Sequence, residues 1–227
     1  MNRQLLRSAF RTSLPVLAGY LFLGIGFGIL LRSAGYGALW AFSMSVLMYA
    51  GAMQYVGVSL LSGGASLLTA ALTTLTVNAR HLFYGISMLS VYRDSGVLKP
   101  YLAFSLTDET YSLLCDGHAP PGVDPDLYRF LVSLFDHLYW ILGCVSGNIL
   151  GSLLPFSTSG IEFSMTALFL TSFTEQWLSS TDRLPALVGL LVTLLCLLLF
   201  GSSHFLIPSM LLITLILMLL RRREGRS

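Results

Sequence analysis

Residues 67–90 read LLTAALTTLTVNARHLFYGISMLS, an apolar run whose one full charge, Arg80, lies within the tetrapeptide Asn78-Ala79-Arg80-His81. No Asp, Glu, Lys or Arg occurs between Arg32 and Arg80. A charge at the centre of a bilayer costs at least about 2.5–3.5 kcal/mol, and ionisable residues there usually mark a substrate or ion pathway. The run therefore predicts a polar site inside a membrane and makes the chain a candidate transporter.

The composition predicts an all-α integral membrane protein surrounded by the lipid bilayer. The 227 residues are 55% hydrophobic and 11% charged, whereas a soluble domain is typically about 25% charged. We expect one membrane domain, residues 1–227, with about 6–8 hydrophobic segments. The candidate segments are Leu14–Leu31, Ala38–Leu60, Ala65–Val91, Tyr101–Cys115, Phe130–Leu153, Phe163–Leu178, Leu184–Phe200 and His204–Leu220.

Arginines near both ends set the expected orientation. Arg3, Arg7 and Arg11 precede the first segment, and an arginine cluster at 221–226 follows the last. Positive charge favours the cytoplasmic side, so both termini are expected in the cytoplasm and the number of crossings is even. That number is eight if every segment spans, or six if Tyr101–Cys115 is re-entrant and the last two segments form one broken crossing. The compact loops and the lack of an organelle targeting signal suit a multi-pass protein of a bacterial inner membrane.

A weak repeat divides the sequence into two halves, about 14–115 and 130–220, joined by a Pro-rich linker at 116–129. FSMSVL at 42–47 resembles FSMTAL at 163–168, and His81 and His204 interrupt apolar segments at a similar offset. Paired interruptions predict a two-fold internal repeat with interrupted helices and a binding site between the halves. The alternative is chance similarity among Phe, Ser, Met and Leu.

Several chemistries lack their sequence signatures. There is no GxxxxGK[ST] nucleotide loop and no HExxH or GxSxG motif. The three cysteines have no metal-ligand spacing. We therefore expect no cofactor, no metal site and no enzyme activity, and the arginines at the membrane edges do not indicate nucleic-acid binding.

The candidate residues for substrate binding or coupling are Gln54, Asn78, Arg80, His81, Tyr84, Asp108 and Glu109. Arg80 carries a planar guanidinium suited to a carboxylate, or it forms a buried ion pair with Asp108 or Glu109. His81 either takes up a proton near neutral pH or is a hydrogen-bonded structural group. Neighbours on a helix point about 100° apart, so Asp108 and Glu109 cannot face the same partner.

Small residues and one amide punctuate the first two segments. Gly24, Gly26 and Gly28 let a neighbouring helix approach closely, or they expose backbone groups to a substrate. Gly51 lies in the small-residue stretch before Gln54, whose amide contacts either another helix or a substrate. We expect a further polar pair, Asp136-His137, at the membrane interface, because it lies near the start of the fifth segment.

These motifs together resemble the AzlC family, the large subunit of two-component exporters of branched-chain amino acids. The resemblance runs from about Leu14 to Leu220, with Glu162 where the family often has Asp. It implies export of branched-chain and similar apolar amino acids, driven by an ion gradient, and a small hydrophobic AzlD-type membrane subunit as partner. The motifs that carry it are Pro15, Gly24-x-Gly26-x-Gly28, Ala50–Gln54, Asn78-Ala79-Arg80-His81-x-x-Tyr84-Gly85 and Leu106–Glu109.

Three functions are compatible with the sequence. A secondary transporter for small zwitterions uses Arg80 for the carboxylate, an acidic residue for the amine and an apolar pocket for the side chain. An accessory or structural membrane subunit uses Arg80 and Asp108 only as a clamp. An intramembrane enzyme would need a nucleophile, and none is evident beside His81 and Asp108.

Overall fold

The computed structural model describes residues 3–153, 182–201 and 205–224, with scattered positions between 160 and 178. This part of the chain is helical and contains no β-strand. A short 3₁₀ turn at Gly96–Leu98 precedes the fifth helix. The helices are α1 Arg3–Ser33, α2 Ala38–Leu47, α3 Gly51–Ser62, α4 Leu67–Met88, α5 Lys99–Phe104, α6 Asp108–Leu114, α7 Pro125–Leu153, α8 Leu184–Phe200 and α9 Leu206–Glu224.

Outward-facing apolar side chains confirm an all-α membrane protein. Phe22, Leu39, Leu82 and Leu198 are 69%, 76%, 64% and 83% exposed, which suits a surface in contact with lipid rather than water. Among the described residues, two helices, α1 and α7, are long and apolar enough to cross a bilayer, and α2, α8 and most of α9 form shorter apolar helices. The division into two halves remains a prediction, and most of the expected segment Phe163–Leu178 lies outside the described residues.

Helices α1 and α7 pack along a seam of glycines. A Cβ atom added at Gly24 would lie 2.9 Å from Gly143 Cα, and one added at Gly28 would collide with the backbone near Gly147. Small residues of this kind allow two backbones to touch and gain dispersion energy along their length. Gly24 and Gly28 thus lie on a packing face, whereas Gly26 is half-buried and lies off it.

Two of the expected apolar segments are interrupted helices. Met48–Ala50 separates α2 from α3, and Tyr49 has a φ of 34°, a left-handed conformation uncommon for a non-glycine residue. Ser105–Thr107 separates α5 from α6, where the Thr107 side chain accepts from Thr110 N–H as an N-cap.

The expected break at His81 is wrong, because α4 continues through it from Leu67 to Met88. Arg80 and His81 lie on a polar face of α4 that turns toward the interruptions in the other two segments. The helix therefore stays continuous at these residues. His204, the expected counterpart of His81, lies outside the described residues.

Two buried clusters hold the bundle. One lies between α1, α2, α3 and α7 and includes Phe27, Leu31 and Trp140. The other joins the beginnings of α1 and α7 to α5, α6 and the end of α4, and includes Met88 and Leu102. The two helix interruptions lie beside these clusters, so the polar backbone that they expose faces the interior of the protein rather than lipid.

Candidate functional site

A pocket opens where the two helix interruptions meet α1, α4 and α7. Its empty volume is about 420 Å³, counting its open mouth. Non-helical backbone at membrane depth is tolerated where it lines a cavity, and both interruptions contribute to the wall. The lining residues are Tyr20, Leu23, Tyr49, Ala50, Gly51, Ala52, Arg80, His81, Thr107, Asp108, Glu109 and Trp140.

Arg80 of α4 pairs with Asp108 at the start of α6. Its Nη1 donates to Asp108 Oδ2 at 2.6 Å, and the two side chains are 24% and 26% exposed. Because both groups stay partly open to the pocket, water or a ligand can reach them. The pair gives each charge a countercharge, which offsets the cost of holding a guanidinium inside an apolar bundle.

Glu109 has a different partner from its neighbour Asp108. Its Oε2 accepts from the Tyr20 hydroxyl of α1 at 2.8 Å. The same hydroxyl lies 2.6 Å from Thr107 Oγ1. The two adjacent carboxylates both line the pocket but point in different directions, because consecutive positions on a helix are about 100° apart.

Five of the sequence-predicted residues meet at this pocket: Gly51, Arg80, His81, Asp108 and Glu109. At Gly51 an added Cβ would lie 3.1 Å from the Trp140 ring, so a glycine there lets the indole close one wall. The His81 Nδ1 atom lies 3.3 Å from the Asn78 carbonyl oxygen, a contact within its own helix.

The other three candidate residues for substrate binding or coupling, Gln54, Tyr84 and Asn78, are not among the residues that line the pocket. Gln54 is fully buried, and its Oε1 accepts from Trp140 Nε1 at 2.6 Å. The Tyr84 ring stacks on Tyr111 with centroids 4.7 Å apart. The Asn78 Oδ1 atom has no hydrogen-bond partner within the described part of the chain. These residues support the wall rather than line it.

Sequence reasoning placed Asp136 and His137 at the membrane interface, but the structure buries both side chains inside the helix bundle. Asp136 is 0% exposed and His137 is 7% exposed in the middle of α7. His137 Nε2 lies 3.1 Å from the Ser45 carbonyl oxygen, and its ring stacks on Tyr49 with centroids 4.1 Å apart. An acidic residue within an apolar helix was the available signal, the same one that singled out Arg80.

The pocket combines three chemical features. Arg80 supplies a cation, Asp108 and Glu109 supply carboxylates, and Leu23 with Trp140 supplies apolar surface. Such an arrangement can bind a small molecule that carries both charges and an apolar group. No group of His, Cys, Asp and Glu side chains that could hold a metal ion occurs among the described residues.

Comparisons with known proteins confirm the family resemblance. A family model described as "AzlC protein" matches residues 15–154. The "Branched-chain amino acid transport protein AzlC" of Bacillus subtilis is 44% identical over 216 residues, covering 95% of this chain and 85% of that protein. An uncharacterized membrane protein of Helicobacter pylori is 42% identical, with 96% and 95% covered. "Inner membrane protein YgaZ" of Escherichia coli is 29% identical over 71% of this chain and 69% of that protein. No solved structure gives a significant match.

Proposed function

The chain belongs to the AzlC family, and on that premise we propose that it is a secondary transporter that exports branched-chain or similar apolar amino acids. Valine, leucine and isoleucine are the main candidate substrates, with methionine as a further one. The name of the Bacillus subtilis relative supports the substrate class. The pocket around Arg80 supports a substrate site in this chain itself, and it is the observation that carries the proposal.

The two charged ends of an amino acid match the two signs of charge in the pocket. The substrate carboxylate binds the guanidinium of Arg80, which suits planar, two-point contact. The substrate ammonium binds Asp108, with Glu109 nearby in the same pocket. The apolar side chain then lies against Leu23 and Trp140.

When a zwitterion binds, Arg80 and Asp108 exchange one charged partner for another. Arg80 and Asp108 already neutralise each other at 2.6 Å. When a substrate enters, Arg80 gains the carboxylate and Asp108 gains the ammonium, so neither side chain is left as an unpaired charge. Leaving one partner of a buried pair unpaired is strongly destabilising, and this exchange avoids that cost. A molecule that carries no charged group, or only one, cannot replace both partners. The ion pair therefore selects for zwitterions.

Energy for export comes from an ion gradient, since the sequence carries no nucleotide-binding loop. We further propose a small hydrophobic AzlD-type subunit as partner and a location in a bacterial inner membrane with both termini in the cytoplasm. The arginines that flank the first and last apolar segments support this orientation.

The test is efflux of labelled leucine, valine and methionine from cells that co-express this chain and an AzlD-type subunit. Wild-type efflux should need both chains and stop on addition of an uncoupler. Arg80→Ala should abolish efflux, whereas Arg93→Ala, a matched change at an exposed arginine beyond α4, should not. Absence of efflux of every amino acid tested, with both chains present in the membrane, would refute the proposal.

The alternative is an accessory subunit in which Arg80 and Asp108 form only a clamp, and their direct contact favours it. The double variant Arg80→Gln with Asp108→Asn separates the two functions, because it keeps hydrogen bonding and removes both charges. A clamp tolerates the neutral pair, so efflux would continue. A zwitterion site loses both recognition charges, so efflux would stop.

A further inference from the structure

A chain of hydrogen bonds runs from the pocket wall into the interior of the bundle. It begins at Glu109, passes through the hydroxyls of Tyr20, Thr107 and Thr110, and ends at Asp136. The four successive oxygen–oxygen distances are 2.8, 2.6, 3.1 and 2.8 Å. Three of these distances lie within the usual range for O–H···O bonds and the Thr107–Thr110 distance is slightly longer, so hydrogen bonds link the two carboxyl groups.

The end of this hydrogen-bond chain at Asp136 is buried away from water. Asp136 and Thr110 are both 0% exposed. Asp136 Oδ2 accepts from Thr110, and its Oδ1 atom has no hydrogen-bond partner in the described part of the protein. No lysine or arginine among the described residues forms an ion pair with Asp136. An isolated carboxylate in such surroundings is far more costly than a neutral carboxylic acid.

The other ionisable groups near the two ends are few. Those around Asp136 are Tyr20 from α1, Tyr49 from the first interruption, Tyr101 from α5, Glu109 from α6 and the adjacent His137. Those around Glu109 are Tyr20, Tyr49, Tyr84, Arg80 and Asp108. Among the described residues, the cation therefore lies at the pocket end and none lies at the buried end.

A count of hydrogens shows that the four hydrogen bonds need one more hydrogen than the three hydroxyl groups supply. Tyr20 donates to Glu109, Thr107 donates to Thr110, and Thr110 donates to Asp136. Each hydroxyl has one hydrogen, so these three bonds use all of them. The fourth link, Tyr20 Oη to Thr107 Oγ1 at 2.6 Å, is then left without a hydrogen.

One carboxylic acid proton removes this deficit in either of two ways. A proton on Glu109 lets Glu109 donate to Tyr20, and Tyr20 donate to Thr107. A proton on Asp136 instead reverses every link, so that Asp136 donates to Thr110 and the last bond runs from Tyr20 to Glu109. If the hydrogen in each of the four bonds moves across that bond to the next oxygen toward Asp136, the first arrangement becomes the second. The number of protons and the total charge do not change.

We propose that Glu109, Tyr20, Thr107, Thr110 and Asp136 hold one exchangeable proton, and that this proton is the ion to which substrate movement is coupled. The shared proton stands on the hydrogen count, whereas its role in coupling rests on the transport function proposed above. A substrate ammonium at the carboxylates favours ionised Glu109, with the proton on Asp136. Substrate occupancy thus biases which of the two carboxyl groups holds the proton.

Infrared spectroscopy of the purified wild-type protein tests the shared proton without requiring transport. A protonated carboxyl has a carbonyl band distinct from that of a carboxylate. The wild type should show this band at neutral pH. Asp136→Asn should lose it, because the new amide donates the missing hydrogen to Thr110 and leaves Glu109 ionised. A protonated-carboxyl band of equal intensity in Asp136→Asn would overturn the shared proton.

Proteoliposomes containing the chain and its partner subunit test the coupling. Wild-type vesicles should show movement of labelled leucine together with protons, detected by a pH dye. Asp136→Asn should lose gradient-driven leucine accumulation and proton movement, while exchange of leucine for leucine continues. Leucine movement without proton movement in the wild type, or proton-coupled accumulation by Asp136→Asn, would overturn the coupling.

Variants of Thr110 serve if Asp136→Asn does not fold. Thr110→Val keeps the shape and removes the hydroxyl, so proton-coupled accumulation should stop, whereas Thr110→Ser should retain it. Ser13→Ala is the matched control, because it removes another buried hydroxyl between α1 and α7, one bonded to Tyr139 at 3.1 Å. Coupling that survives Thr110→Val would overturn the proposal. Absence of leucine exchange in the wild type would overturn the transport function and the coupling with it, while the infrared result would still decide the shared proton.

Discussion

Replacing Gly24 by Ala should separate α1 from α7 near Tyr20. The added Cβ would lie 2.9 Å from both Gly143 Cα and Cys144 N. Since non-bonded carbon atoms normally approach to about 3.5–4.0 Å, the two helices must move apart by roughly 0.6 Å or more. The atoms in the way belong to the backbone, so no side-chain rotation relieves the contact. Overpacking of this kind costs about 1–3 kcal/mol.

Gly19→Ala is the matched control on the same helix. A Cβ at Gly19 would meet nothing within 4 Å. Both variants gain the helix propensity of Ala over Gly, about 0.8–1.0 kcal/mol, so the difference between them isolates the packing cost. We expect Gly24→Ala to be about 1–3 kcal/mol less stable than Gly19→Ala in equilibrium unfolding from detergent micelles, followed by circular dichroism. Equal stability of the two variants would refute the close backbone contact between α1 and α7.

Other inter-helix contacts give further expectations. Asn148→Leu should lower the free energy of unfolding by about 1–3 kcal/mol, because the Asn148 amide donates to the Gly28 and Tyr36 carbonyl oxygens at 3.2 and 3.0 Å; the same detergent assay measures it. Trp140→Phe removes the donor to buried Gln54 and should cost about 1–3 kcal/mol, with Trp140→Phe/Gln54→Leu recovering part of the loss in that assay. Thr107→Ala removes the N-cap of α6 and should cost about 1 kcal/mol, whereas Thr107→Ser should cost less; hydrogen exchange of the Thr110 amide measures the difference.

The sequence predicted which residues are chemically unusual better than it predicted their partners. Arg80 stood out because charge inside an apolar run is costly, and the two adjacent carboxylates were its evident candidates for an ion pair. The choice between Asp108 and Glu109 depends on how α6 is rotated about its axis. That rotation is set by contacts of α6 with Tyr20 on α1 and with Asp136 on α7, and sequence spacing carries no information about it.

Asp136 shows why depth in a bundle is hard to infer from an apolar segment. The hydrophobic run begins at Phe130, which placed Asp136 near the surface. The helix itself begins at Pro125, so Asp136 lies about 16 Å along its axis at 1.5 Å per residue. The first turns of α7 pack on α1 and α5 rather than ending at the membrane edge. When a helix begins within a polar linker, before its apolar run, the residues of that run lie further along the helix than the sequence suggests.

The helix breaks were misplaced for a related reason. A polar tetrapeptide at Asn78–His81 looked like an interruption, yet α4 passes through it unbroken. The actual interruptions fall at Tyr49, which has a left-handed backbone conformation, and at Ser105–Thr107, where the Thr107 side chain caps the next helix. Polar side chains can be satisfied from a continuous helix, whereas a break requires partners for the backbone itself.

The short length of α6 joins substrate recognition to the proton chain. Asp108 and Glu109 are consecutive residues at the start of a helix of seven residues. Asp108 contacts Arg80, and Glu109 contacts Tyr20. Because one rigid turn carries both carboxylates, a rotation that releases Asp108 from Arg80 also changes the distance from Glu109 to Tyr20. Under the proposed transport function, a substrate that takes over the partners of the ion pair acts on the first link of the proposed proton chain through the backbone of α6, even without touching Glu109.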